Sequence, residues 1–135
     1  MSDPAAKNSS PQTHKDDIAV DRFAAAMKVK LAAARAKGRD GWDDATLCSA
    51  EFLADLLVSH LGKGNAGNLE DVANLAMMLH QRGEDPFVLA NRFARHADEM
   101  RAEGARAIRH LTQGEGWSAS DLKAVIDDYV AGLAR

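Results

Sequence analysis

The chain has 135 residues, 46% of them hydrophobic and 27% charged, which are the proportions of a single globular domain. No run of about 18 apolar residues occurs, which excludes a membrane-spanning helix, and a formal net charge of −3 gives the molecule no general attraction for nucleic acid. The single cysteine, Cys48, excludes an internal disulfide and a cysteine zinc cluster, and the N-terminus lacks the apolar core of a secretory signal, so a reducing, cytoplasmic setting is expected.

The 26 Ala and 13 Leu outnumber the seven Val, three Ile and three Thr. Ala and Leu lose little side-chain entropy in a helix, whereas β-branched residues favour strands. The expected class is all-α, a compact bundle of about five helices behind a disordered tail. The tail is residues 1–16, polar and punctuated by Pro4 and Pro11. The rest, residues 17–135, reads as one helical domain.

A first helix is expected from Ile18 to Lys37, where Phe23, Met27, Leu31 and Ala34 form one apolar stripe, with Gly38 as its stop. A loop follows from Gly38 to Asp44, carrying Trp42. The second helix starts between Thr46 and Ser49 and runs to Leu61, with Leu53, Leu56, Leu57 and His60 on one face. Gly62 to Gly67 is a turn, and Asn68 is expected to cap a third helix that ends at Arg82-Gly83. This helix is apolar nearly all round, which predicts a central, buried position. Asp85-Pro86 opens a fourth helix whose stripe runs from Leu89 through Gly104 to Leu111. Gly104 weakens it, bends it, or lets another helix approach closely. Gln113 to Gly116 breaks the pattern. Ser118 and Asp121 form a capping box for a fifth helix that buries Leu122, Val125, Ile126 and Tyr129.

The strongly basic stretch lies on the first helix and just beyond it. Lys30, Arg35, Lys37 and Arg39 are candidate phosphate contacts, although cations flanking a buried stripe also serve simply as its solvated border. Arg92, Arg95, Arg106 and Arg109 on the fourth helix are interleaved with acids and read as a solvated face. Trp42 either plugs the edge of the core or sits against a ligand with Asp43 and Asp44 beside it. His60 lies on an apolar face and reads first as a hydrogen-bonded core histidine, with a ligand role as the alternative. Asp71 and Asn74 interrupt an apolar helix, facing either solvent or a polar interior site. Cys48 has no base at a recognisable spacing and reads as packing, as do Met77 and Met78. No P-loop, Gly-x-Ser-x-Gly, GxGxxG or HExxH pattern occurs.

Lys30-Leu31, then Arg35-Ala36-Lys37-Gly38-Arg39-Asp40-Gly41-Trp42-Asp43-Asp44, then Asp71-Val72-Ala73-Asn74-Leu75-Ala76-Met77-Met78-Leu79 resembles small phage and prophage proteins. Those proteins are related to the all-α nucleotide pyrophosphohydrolases, the MazG-like superfamily. The resemblance spans residues 23–83 and leaves residues 84–135 as a C-terminal helical extension. It implies a helical bundle, usually a homodimer, in which an EExxE…ExxD carboxylate set holds Mg²⁺ for cleavage of nucleoside triphosphates. Here the EExxE positions fall on Ser59, His60 and Lys63, and the ExxD positions on Asn68 and Asp71, so only Asp71 keeps a carboxylate. Glu51, Asp55 and Glu70 are acids nearby but hold none of those positions.

The expectation is therefore a non-catalytic phage- or prophage-type protein, without a cofactor, acting through a protein partner or a second copy of itself. The alternatives are a Mg²⁺-dependent nucleoside triphosphate pyrophosphohydrolase, which binds nucleotide, and a nucleic-acid-associated protein using the basic first helix. No membrane partner is expected.

Overall fold

The computed structural model describes residues 13–113 and 118–133, and these form five helices and no strand. In chain order they are α1 (Lys15–Ala36), α2 (Ala50–His60), α3 (Asn68–Gln81), α4 (Phe87–Leu111) and α5 (Ala119–Leu133). The expected disorder of the tail falls, for residues 1–12, outside the described residues, as does the expected break over residues 114–116.

Local chemistry accounts for each boundary. α1 begins three residues before the expected Ile18 and takes in Lys15 and Asp16 of the expected tail, because the His14 ring nitrogen accepts a hydrogen bond from the Asp16 N–H at 3.1 Å. Asp16 and Asp17 then lie in the first turn, where the helix dipole favours negative charge. Gly38, at φ +77°, ends the helix, and the Arg39 N–H turns back to the Ala34 carbonyl. Ser49 caps α2 through a 3.1 Å bond from the Phe52 N–H. The Asp85 carboxylate accepts from the Phe87 N–H at 2.9 Å and so caps α4 just ahead of Pro86. Ser118 and Asp121 satisfy each other's backbone N–H groups at the start of α5.

Asn68 departs from its expected role. The left-handed Gly67, at φ +84°, occupies the cap position of α3, and Asn68 is the first helical residue. Its amide instead reaches back and donates to the His60 and Lys63 carbonyls at 2.8 and 2.9 Å. The last carbonyls of a helix have no partner within it, so the amide serves the end of α2 rather than the start of α3.

The helices pack in the spatial order α1, α3, α2, α4, α5, each against its neighbours in that series. Leu53, Ala54 and Leu57 of α2 and Leu75 and Leu79 of α3 form the core, and Val88 and Leu89 of α4 close over it. Thus α2, roofed by α4, is the most enclosed helix. The expectation that α3 is buried all round holds only on its inner face, since Leu69 is 76% exposed. Gly104 admits a neighbour: a Cβ there would stand 3.2 Å from the Tyr129 ring. The α5 stripe is less enclosed than expected. Leu122, Val125 and Tyr129 are half-buried and Ile126 is exposed, because α4 is the only helix that α5 meets among the described residues.

Arg92 does more than face solvent. Its guanidinium grips Asp55 of α2 with two bonds of 2.7 and 2.6 Å, joining α4 to the core. Bonding to Arg92 holds the Asp55 carboxyl below its ordinary value of 3.8. A depressed carboxyl stabilises the fold above its unfolded value and loses that contribution as pH falls through the folded one. Asp55→Asn is therefore expected to lower the thermal midpoint slightly at pH 7. The difference from the parent should shrink as pH falls below the ordinary value of 3.8, and a difference that does not shrink would break the assignment.

Candidate functional site

α1 and α2 both lie on α3 but, among the described residues, do not pack against each other. Between them runs a groove of about 740 Å³. Leu31 and Ala34 of α1 line one wall, Phe52 and Leu56 of α2 the other, and Leu75 and Met78 of α3 the floor. Trp42 and Cys48 contribute from the loop between α1 and α2, and Arg35, Arg39, Asp40 and His60 add polar groups to the lining. The volume lies in the range of natural binding clefts, which combine apolar walls with a few polar groups.

Four residues singled out in the sequence, Arg35, Arg39, Trp42 and His60, thus converge on one groove. Lys37, Asp43 and Asp44 are exposed and do not line it. Asp44 instead shapes the loop: its carboxylate accepts from the Thr46 N–H and hydroxyl at 2.8 and 2.6 Å, and these bonds hold its pKa below 3.8. Trp42 therefore lines the groove without Asp43 and Asp44 beside it. Trp42 itself packs against the core and also faces the groove, so the two expectations for it are compatible.

His60 is a hydrogen-bonded histidine at the end of α2. Its Nδ1 stands 3.0 Å from the Asn68 side-chain oxygen. Because the Asn68 amide nitrogen already donates to two carbonyls, its side-chain oxygen accepts from the His60 Nδ1–H. Asn74 lies in the seam between α1 and α3, 5% exposed, donating to the Met27 carbonyl at 3.2 Å. Its side-chain oxygen is buried without a partner. Asn74 therefore takes an interior position and does not line the groove.

Asp71 lies apart from the groove, and its carboxylate meets the Lys30 ammonium at 3.0 Å. Lys30 is thus an internal counter-ion rather than a free phosphate contact. The Ser59 hydroxyl donates to the Leu56 carbonyl, and Asn68 and His60 bond to each other. Among the described residues no three His, Cys, Asp or Glu side chains gather into a metal-holding group. A hard divalent cation needs several oxygen ligands. One carboxylate already paired with a lysine does not fit Mg²⁺.

The Lys30 stem crosses Gly67 closely: a Cβ on that glycine would lie 2.6 Å from the Lys30 Cε and 2.8 Å from its Nζ. The lysine end can swing aside, but the backbone at φ +84° is strained for any residue with a side chain. Gly67→Ala is expected to cost roughly 1–2 kcal/mol, read as a lower denaturant midpoint at unchanged slope.

Arg82 gave no signal in the sequence, yet it organises the site. Its guanidinium donates to the Trp42 and Cys48 carbonyls at 2.8 and 2.7 Å and pairs with Glu84 at 2.9 Å. The loop that closes the groove is therefore pinned to the end of α3. A smaller recess of about 230 Å³ lies between α2 and α4, lined by Asp55, Arg92, Arg95, His96 and Glu99. Its charges are engaged in the Asp55–Arg92 and Arg95–Glu99 pairs. Compared with protein-family models, with curated proteins and with solved structures, the chain matches none of them.

Proposed function

We propose that this protein is a non-catalytic helical protein of phage or prophage type, built on a degenerate MazG-like scaffold. It acts by docking an amphipathic helix of a protein partner in the groove between α1 and α2. The observation that carries this reading is the groove itself: apolar walls and floor, with Arg35 and Arg39 on the α1 side. An amphipathic helix recognised in this way inserts residues at i, i+3 or i+4 and i+7 between two receptor helices. Arginines beside such a groove favour acidic residues bordering the inserted stripe. The engagement of Asp71 by Lys30 counts against the pyrophosphohydrolase alternative, because the carboxylate carried over from the family pattern is already occupied.

The test uses the full chain carrying Trp117→Phe, so that Trp42 is the sole tryptophan of the two in the sequence. A synthetic amphipathic helical peptide with aspartates flanking its apolar stripe is titrated into it. A saturable shift of Trp42 emission is expected, lost in Phe52→Asp. In parallel, a panel of nucleoside triphosphates with Mg²⁺ or Mn²⁺ should yield no pyrophosphate. No change in Trp42 emission at millimolar peptide, or metal-dependent turnover that Asp71→Asn abolishes, would overturn the proposal.

A further inference from the structure

We infer that the groove between α1 and α2 receives helix α5 of a second copy of this chain. The inference rests on the helix-docking reading above and names its partner.

The first support is the state of α5. Among the described residues it packs on α4 alone. Val88, Leu89 and Arg92, near its start, join α4 to the core. Further along, Gly104 lies against the Tyr129 ring, and the Tyr129 hydroxyl donates to the Met100 carbonyl. The later turns of α4 thus carry α5 as the second arm of a helical hairpin. On this arm Ile126, Val130 and Leu133 are 42%, 57% and 43% exposed. Their spacing of four and three residues places them on one helical stripe, bordering the half-buried Leu122 and Tyr129.

The second support is length. From Ile126 to Leu133 a helix rises about 10 Å. The groove-lining residues of α2 run from Phe52 to His60, a helical rise of about 12 Å. The free stripe therefore fits the groove in length.

The third support is charge. Arg35 and Arg39 have no ion-pair partner among the described residues, and neither does Asp128. At 100° per residue, Asp127 borders the free stripe beside Val130, whereas Asp128 falls on the opposite side of the helix and takes no part. With that edge of α5 turned towards α1, Asp127 borders Arg35 of α1 and Arg39 of the following loop. Asp127 does pair with Lys123 at 2.6 Å, but both side chains are largely exposed, and an exposed pair of this kind exchanges partners at little cost.

Docking of α5 from one copy into the groove of another leaves the reverse docking available. Both then form at once in a two-fold symmetric dimer, in which two grooves and two stripes leave water together.

Sedimentation equilibrium on the full chain tests this. A dimer is expected at tens of micromolar protein. Ile126→Asp with Val130→Asp should weaken association at least tenfold with the helical circular dichroism unchanged, because both side chains are exposed within one copy. Phe52→Asp should do the same from the groove side. Arg35→Glu with Arg39→Glu should weaken the dimer, and adding Asp127→Arg should restore it. A monomer at every concentration overturns the inference, and so does a dimer that the α5 substitutions leave untouched. If Trp42 still responds to the acidic peptide in either case, helix docking stands and only the self-partner falls. If Trp42 is also silent, both readings fall together.

Discussion

Arg82→Met is expected to destabilise the fold by roughly 2–4 kcal/mol, a drop of the order of 10 °C in thermal midpoint for a chain of this size. The Arg82 side chain is 8% exposed, and its guanidinium meets two loop carbonyls and a carboxylate. Methionine preserves much of the packing volume but removes every donor. The Trp42 and Cys48 carbonyls then lose a charged donor where little water reaches the bond, at about 1–3 kcal/mol for each group left unpaired. Glu84 recovers part of its loss because its side chain is 28% exposed, which keeps the total below that of breaking a fully buried ion pair. Arg82→Lys should rescue little, because a single ammonium does not reproduce a guanidinium that meets both carbonyls through Nη1 and Glu84 through Nε and Nη2. The loop should also loosen, so Trp42 in the Trp117→Phe background should emit further to the red before global unfolding. An unchanged denaturation midpoint in Arg82→Met would mean that the loop is held by its apolar contacts alone.

Arg82 also shows what the sequence leaves unreadable. Its partner carbonyls lie 40 and 34 residues away, and a backbone carbonyl leaves no mark in residue identity. The helix ends were legible because capping is local: Ser49, Asp85 with Pro86, and Ser118 with Asp121 each lie within three residues of the N–H groups they satisfy. Asn68 shows the limit of that local logic. A polar residue at a helix boundary can serve the helix ahead or the helix behind, and the left-handed turn at Gly67 decided for the one behind. Arg35, Arg39, Trp42 and His60 each stood out by residue type, but their convergence depends on two helices resting on a third without touching. Apolar periodicity placed Leu122, Val125 and Tyr129 where α4 half-covers them, but it expected Ile126 to be buried and that residue is exposed. Half of the α5 face meets α4, and Ile126, Val130 and Leu133 remain exposed.

The second large effect is expected on α2, where neighbouring leucines face different surroundings. Leu57 is 5% exposed in the core cluster with Leu75 and Leu79. Leu57→Ala removes three carbon atoms from a site enclosed by α3 and α4, and the loss of transfer energy plus the cavity left behind should cost about 2–5 kcal/mol. Among the described residues only six hydrophobic side chains are buried. A core this small has few neighbours able to collapse into the void, which argues for the upper part of that range. Since whole domains are stable by only about 5–15 kcal/mol, the variant should populate unfolded chains at moderate temperature. Leu56 is one residue away, turned by 100°, and half-buried in the groove wall. Leu56→Ala should cost less than half as much, because water already reaches that side chain and refills the space it leaves. Its larger effect should be on association, where the acidic peptide and the second copy both lose a wall contact. Equal stability losses at the two positions would mean that the groove is part of the closed core. A stability loss confined to Leu57 with an association loss confined to Leu56 is the pattern of a helix that holds the fold with one face and offers the other to a partner.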